Sequence, residues 1–397
     1  MKTNLNILSA KRTPIGTFMG ALKDKTSVEL GTLASQAAIA ESGVEIQDFN
    51  HAFFGNVCSS SSADGPYLAR HIGLRAGLPQ ASGAVTVNRL CGSGFEAIIQ
   101  AQVYLVDGIC LVGGAENMSQ TPLIIRNARE GFKFASPPPM VDSLWEALTD
   151  QYAKMPMGMT AENLASEYKI SREDCDRWAA LSHQRAAAAT DAGHFKKEIL
   201  SVSLGVDKAG LEKKFEMDEH IRRDSSVEKL AKLKPVFGGV TTAGNASGMN
   251  DAGAALVVSS SEYAKAWAQK TSKKPLAKVV GAVAVGCDPT RMGIGPVVAI
   301  QKLLLELNWK MSDVDYLEIN EAFAAQILAV KKLLELSDEQ LNPHGSGISL
   351  GHPLGATGAR ISAHIAHWIA GGNAKRAIGA ACIGGGQGIA VAFEAVS

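Results

Sequence analysis

At 397 residues the chain exceeds what one hydrophobic core usually holds, so two or three domains are expected. Apolar residues make up 46% and charged residues 20%, ordinary for a globular protein, and the 39 basic side chains balance 39 acidic ones. That balance excludes a global field for nucleic acid or an anionic membrane, and any anionic ligand must be held locally. Six cysteines without a CxxC pair argue against a zinc ribbon or a disulfide framework and suit a reducing compartment. The amino-terminal stretch MKTNLNILSAKRTPIG lacks a signal-peptide h-region, and no apolar run approaches membrane-spanning length. The expectation is a cytoplasmic enzyme, with the mitochondrial matrix second.

The elements read as α/β. Leu5 to Leu8 is a strand and Ser27 to Glu41 an Ala-rich helix. Val85 to Leu90 reads as a strand, followed by a helix with Phe95, Ile98, Ile99, Gln102 and Val106 at helical spacing. Ile109 to Val112 is a buried-type strand stopped by Gly113-Gly114. From about 119 to 248 the pattern changes: Ser136-Pro-Pro-Pro predicts a loop, and Ser171-Arg-Glu-Asp174 a capping box before a helix reaching about Asp191. Asp251 to Ser259 is strand-like. The last third repeats the earlier grammar, with strands at Ala277–Val285, Tyr316–Ile319, Ala377–Ile383 and Ile389–Phe393. Its helices are Val297–Leu307 and one after Gly351–Gly358 carrying Ile361, Ile365, Trp368 and Ile369.

Cys91-Gly-Ser-Gly94 before a helix parallels Gly355-Ala-Thr-Gly358 before another, each followed by a strand and a glycine stop. Duplication of one α/β unit is the economical explanation; the alternative is that any glycine-punctuated strand–turn–helix looks alike. The expected division is a first half of 1–118 with 249–270, an inserted segment of 119–248, and a second half of 271–397.

Three residues stand out chemically. Cys91, at a helix start, faces free backbone N–H groups and the positive helix end, which predicts a lowered thiol pKa; a small buried hydrophobe is the bland reading. His352, between Gly351 and Pro353, belongs to no regular helical face and could take a thiol proton; a turn histidine in solvent is its alternative. His364 and His367, within the following helix, read as surface or packing residues. Cys382 ends a buried strand ahead of Gly384-Gly-Gly-Gln-Gly388, a placement that suits chemistry. A dinucleotide loop is the competing reading there, but no helix follows to hold a pyrophosphate. Asn320-Glu321 after a strand, and Ala243 to Gly248, are weaker candidates, for an oriented amide and for close ligand approach.

With these residues in place, five segments resemble the thiolase family: Lys11 to Gly16, Asn88 to Gly94, Thr242 to Gly248 with Asp251, Asn320 to Ala324, and Gly351 to Arg360 with Cys382 to Gly388. The resemblance implies five αβαβα layers from two duplicated halves plus an inserted loop domain, and a homo-oligomer, tetramer first and dimer second. It implies that Cys91 is acylated, His352 is its base and Cys382 moves the α-carbon proton. Asn320 would hold a water that, with His352, forms one oxyanion hole, and the N–H groups of Cys91 and Gly384 the other. Ser247 would meet the pantetheine arm and Arg222 the nucleotide end of coenzyme A. Ala243, Leu148, Met157, Phe237, Met292 and Phe323 would line the substrate path. Coenzyme A is then a substrate, and no metal or covalently bound cofactor is expected.

Leu144-Trp-Glu146 and Thr149 through Met157 look most like mitochondrial-type 3-ketoacyl-CoA thiolases, with Pro156 where biosynthetic acetoacetyl-CoA thiolases commonly carry His. The connections Leu105–Ile109 and Phe237–Thr241 are shorter than is usual in the family. Two rival functions fit these residues less well. An acyl-CoA thioesterase would leave Cys382 without a task, and a non-catalytic CoA-binding scaffold would not need two cysteines, His352 and Asn320 together.

Overall fold

The structure, a computed structural model, describes residues 4–206 and 209–396. Its centre is one mixed sheet. The long strands are β1 (Leu5–Arg12), β2 (Phe49–Gly55), β3 (Gly83–Val87), β4 (Ile109–Asn117), β5 (Asn250–Ser259), β6 (Ala277–Gly286), β7 (Tyr316–Ile319), β8 (Arg376–Ile383) and β9 (Gln387–Glu394). They run in the order β7-β8-β9-β6-β1-β5-β4-β2-β3, and Gly16–Thr17 adds a short strand on β5.

The order carries the duplication. β1 and β6 meet antiparallel at the middle, with Leu5 opposite Val279 and Ile7 opposite Ala277. Outward from that seam each half reads antiparallel, antiparallel, parallel: β1–β5–β4–β2 on one side, β6–β9–β8–β7 on the other. The first half then adds β3, parallel to β2. At the corresponding place the second half has only the parallel bridge Leu317–Leu341.

Two helices, Ser93–Tyr104 and Leu354–Ala370, each precede the corresponding strand of their half and lie together in the middle layer. They touch where the matched glycines stand. A Cβ on Gly94 would lie 2.5 Å from Ala359 N, and one on Gly358 2.2 Å from Phe95 N. Only residues without a side chain allow backbones this close, so the repeated glycine is a crossing point of the two halves.

The apolar clusters follow these layers. The central one joins Phe95, Ile98, Val112, Leu256, Ile361, Ile365, Ile383 and Val391. Helix Ser27–Ser42 covers one outer face through Val28, Ala34 and Ala38, and Gly295–Leu307 another through Val297, Ile300 and Leu303. Between Asn117 and Asn250 lie, among the described residues, three short antiparallel strand pairs and the helices Met157–Tyr168 and Arg172–Asp191. Residues 136–139 connect the strands of the first hairpin, and the Ser171–Asp174 capping box is present.

Three sequence expectations shift. The helix after Cys91 ends at Tyr104, so Val106 lies beyond it and is exposed, and the preceding strand is Gly83–Val87. The helix after Asn320 begins only at Ala324. His364 is a packing residue and not a surface one: it is buried, bonding Glu198 and His344 at 2.8 and 2.9 Å. Glu198 also takes the buried Arg12, which grips Asp218 with two bonds, so four segments share one satisfied charge network.

Candidate active site

Cys91 leaves β3 through a turn that its own motif builds. Asn88 Oδ1 accepts the Leu90 N–H at 2.9 Å, while the Ser93 hydroxyl donates to Leu90 O and accepts from Arg89 N–H. Leu90 is thereby held at a φ of +45°, a left-handed conformation that costs on the order of 1–3 kcal/mol in a residue other than glycine. The strain turns the chain so that the half-buried Cys91 presents its thiol beside Leu148 and Leu354.

The thiol is less acidic than the helix start alone predicts. Burial pushes Cys91 up to about 11, against the backbone N–H groups of Gly384 and of Cys91 itself, which reach the sulfur and pull it down. Desolvation wins over the helix end. At neutral pH Cys91 is therefore a thiol.

His352 is fixed in orientation by two hydrogen bonds. Its backbone N–H donates to Asn250 Oδ1 at 2.9 Å, and its Nδ1 lies 2.7 Å from Thr357 Oγ1. The Thr357 hydroxyl gives its own proton to Pro353 O at 3.0 Å, so it accepts from Nδ1–H. Nε2 therefore carries the lone pair, and it is buried with no protein partner. Burial, helped by the charge of Arg360, lowers the imidazole to about 3, which keeps it neutral.

Cys382 ends β8, fully buried, packing with Met292, Ala322, Met157 and Phe323. Burial raises its thiol well above the ordinary value, with the neighbouring Cys91 and Cys287 adding to the rise. Gly385 and Gly386 turn the chain at φ values of +79° and +78° into β9. A Cβ on Gly386 would meet Cys287 O at 2.4 Å, and one on Gly388 would meet Gly295 O at 1.9 Å. The close approach that the glycine run foretold is thus largely made by the protein's own backbone. A hairpin, not a helix, follows, which removes the dinucleotide reading.

Asn320 is fully buried, and among the described residues neither of its amide atoms has a partner. Its neighbour Glu321 is consumed structurally by Trp178 Nε1, Ser182 Oγ, Asn342 Nδ2 and Ile348 N–H.

A pocket of ≈ 170 Å³ reaches His352 and is lined also by Leu148, Met157, Phe237, Ser247 and Phe323 among others; Cys91, Cys382 and Asn320 are not part of its lining. The Phe237 ring lies against Gly158, where a Cβ would be 2.0 Å away, so the short 237–241 connection still reaches the pocket. Ser247 is set by its N–H bond to Ala322 O and by the bridge between Ala246 and Phe323. A larger cavity of ≈ 420 Å³ at Phe195, Ile199 and Met217 contains neither cysteine. Arg222 and Ala243 are exposed and outside the lining; Arg222 donates its backbone N–H to His183 Nδ1.

Sequence reasoning missed Thr357, Asn250 and Glu116. Thr357 stood inside a quoted motif without a role. Glu116 was detectable as a lone carboxylate near the end of a strand otherwise built for burial.

Comparisons with known proteins agree with this geometry. The N-terminal thiolase domain matches residues 5–262 and the C-terminal thiolase domain residues 273–395. The chain is 46% identical to the mitochondrial 3-ketoacyl-CoA thiolase of Mus musculus, over 98% of this chain and 97% of that protein. It is 44% identical to Beta-ketothiolase BktB of Cupriavidus necator over the whole of both. Human mitochondrial 3-ketoacyl-CoA thiolase in complex with CoA superposes with a TM-score of 0.93 at 45% identity, covering 100% of this chain and 98% of that one. The chain therefore belongs to the thiolase family and is an acyltransferase working between thioesters of coenzyme A.

Proposed function

We propose that the chain cleaves 3-ketoacyl-CoA by thiolysis and, in reverse, condenses two acetyl-CoA to acetoacetyl-CoA, through an acyl group on Cys91. As Sγ attacks the 3-keto carbonyl, His352 Nε2 takes the thiol proton. Collapse of the adduct breaks the C2–C3 bond, and Cys382 delivers its proton to the C2 carbanion, releasing acetyl-CoA. The thiol of free coenzyme A then attacks the acyl carbon and gives its proton to Cys382; the acyl–Cys91 bond breaks and His352 returns its proton to the leaving Cys91 sulfur. Ping-pong kinetics follow. The observation that carries the reading is the buried His352, whose Nε2 has no partner among the described residues, two residues before the Leu354 that packs with Cys91; burial keeps the imidazole neutral and raises both thiols.

The N–H groups of Cys91 and Gly384, already aimed at the sulfur, suit an oxyanion at the acyl carbon. Asn320 with His352 suits the second, at the thioester oxygen. Leu148, Met157, Phe237, Met292 and Phe323 form the acyl path, Ser247 and Ala243 the pantetheine contact, and Arg222 the nucleotide end. Pro156 in place of an imidazole relaxes the acyl pocket toward longer chains. The segment 119–248 serves as the loop domain for coenzyme A and oligomer contacts.

A homotetramer, or a dimer as second choice, fits two exposed features. β3 is an open sheet edge with Val85 exposed, and Leu123, Ile125, Met140 and Trp145 expose apolar surface around the first hairpin. The cytoplasm is the proposed location and the mitochondrial matrix the second. Six free cysteines suit either, and several similar relatives are named mitochondrial. Among the described residues no helix is long and apolar enough to cross a membrane.

Steady-state assays in both directions with acetyl-CoA, acetoacetyl-CoA and a longer 3-ketoacyl-CoA test the reading. Parallel double-reciprocal lines and CoA-dependent cleavage are expected, with turnover of the longer substrate. Hydrolysis that needs no CoA would contradict transfer, and activity confined to acetoacetyl-CoA would contradict the relaxed pocket.

A further inference from the structure

A buried carboxylate that the chemistry above does not use lies between the two halves of the site. Glu116, near the end of β4, is 0% exposed. Its Oε1 accepts from Asn56 Nδ2 at 2.9 Å and from the Cys58 N–H at 3.0 Å. Its Oε2 accepts from the Val57 N–H at 3.0 Å and from the Gly355 N–H at 2.8 Å. Four donors and no acceptor face it, an arrangement that matches an ionised carboxylate.

The donors come from both halves. Residues 56–58 follow β2 of the first half, and Val57 and Cys58 pack in one cluster with Cys91 and Leu354. Gly355 belongs to the first turn of the Leu354–Ala370 helix, three residues after His352 and two before the Thr357 that fixes its ring. The fit leaves no slack: a Cβ on Gly355 would come within 2.9 Å of Glu116 Oε2 and 2.8 Å of Asn56 Cα. An anion at a helix start is favourable there as well.

We propose that Glu116 is a positioning residue for acyl transfer, bonding the Val57–Cys58 loop and the Gly355 turn at once and so holding His352 in register with Cys91. The inference rests on the roles proposed above for Cys91 and His352. Burial raises the Glu116 carboxyl to about 7, against the pull of the Cys58, Gly355 and Val57 N–H groups, and Asp251 adds to the rise. The other titratable groups facing it are the thiols of Cys58 and Cys91, both pushed up by burial. Neither of them, nor His352 at about 3, changes state near neutrality, so protonation of Glu116 gives kcat an acid limb close to pH 7.

The test is Glu116→Gln, which keeps the shape but turns one acceptor oxygen into an NH2 facing N–H donors. Kinetics are measured beside Cys91→Ala and against pH. kcat is expected to fall on the order of 100-fold, as a displacement of about 1 Å can cost. KM for CoA stays within about twofold, and the acid limb disappears. If the Gln variant does not fold, Glu116→Asp replaces it: the charge is kept, the reach is one methylene shorter, and kcat falls about 10-fold with the limb retained. A folded Glu116 variant with wild-type kcat, or with kcat and CoA affinity lost in proportion, overturns the positioning role. So does a wild-type kcat that is flat from about pH 5.5 to 8. Activity surviving in Cys91→Ala would instead overturn the roles on which the inference rests.

Discussion

Asn56 and Asn320 occupy corresponding places in the two halves, each following the strand that runs parallel to its half's central strand, yet they meet different fates. The Asn56 NH2 donates to Ala115 O and Glu116 Oε1, both at 2.9 Å, leaving only its Oδ1 without a partner, whereas among the described residues neither amide atom of the buried Asn320 has one. The strand edges differ in the same way. The first half ends in the exposed β3, while the second ends in a one-residue bridge covered by Arg185, which donates to Leu341 O. One ancestral plan has thus been spent on scaffolding and an open edge in one half, and on an unsatisfied amide and a base in the other. Buried groups left unpaired are costly, so Asn320 and His352 Nε2 mark where ligand atoms are to be met.

The largest effect expected within this comparison is at its centre. Cys91→Ala should lower thiolysis by about 10³-fold or more while circular dichroism stays unchanged. Asn320→Ala should lower kcat by about 10²–10³-fold, the scale of a lost oxyanion donor, with little change in stability. Asn56→Ala should do the reverse first: chemical denaturation should show a loss of about 1–3 kcal/mol, from a buried bond removed and a carboxylate left short of a donor. Equal effects of the two substitutions on kcat and on stability would break the contrast between the halves. Val85→Lys places a charge on the open edge, and sedimentation should then show smaller species than the wild type; an unchanged sedimentation coefficient would assign the oligomer contact elsewhere.

The smallest effect is on stability against pH. Burial lowers His183 and His220 to about 4 and His344 and His352 to about 3. Below their ordinary pKa of 6.5 the unfolded chain binds these protons and the folded chain does not, so stability falls as pH drops from 6.5 toward 4. Glu116, raised to about 7, opposes this by binding one proton in the folded state between about 7 and 4.5. Asp251 and Glu321, also raised by burial, act with Glu116, and His51 and His367, also lowered by burial, act with the other histidines. The lowered histidines outnumber the raised carboxyls, and the melting temperature should decline with acid. Above pH 9 the raised thiols act in the other sense: the unfolded chain ionises first, so stability declines again. A melting temperature rising from pH 6.5 to 4.5 would contradict the sign.

Much of this was legible in the residues. Apolar runs and glycine stops located most long strands, because a strand buried on both faces leaves a continuous apolar signature, as Ile109–Val112 does. The repeated Gly94 and Gly358 announced the duplication, since close backbone crossing admits no other residue. Cys91, His352, Cys382 and Asn320 stood out by motif. The acidity of Cys91 was misjudged because a helix start is visible in sequence and depth of burial is not. Glu116 escaped because its partners, at positions 56–58 and 355, are distant in the chain and mostly backbone groups, which leave no trace in residue identity. The turn at Leu90 was hidden likewise, since side-chain bonds from Asn88 and Ser93 impose its left-handed φ where no glycine marks it.

The division of labour between the two cysteines is tested most directly by trapping the intermediate. The wild-type protein is incubated briefly with acetyl-CoA without a second thiol, quenched in acid, digested, and its peptides weighed. An acetyl group on the peptide containing Cys91, and none on that containing Cys382, is the predicted result. Acetylation of Cys382 in preference to Cys91, or turnover with no acylated cysteine at all, would contradict the account.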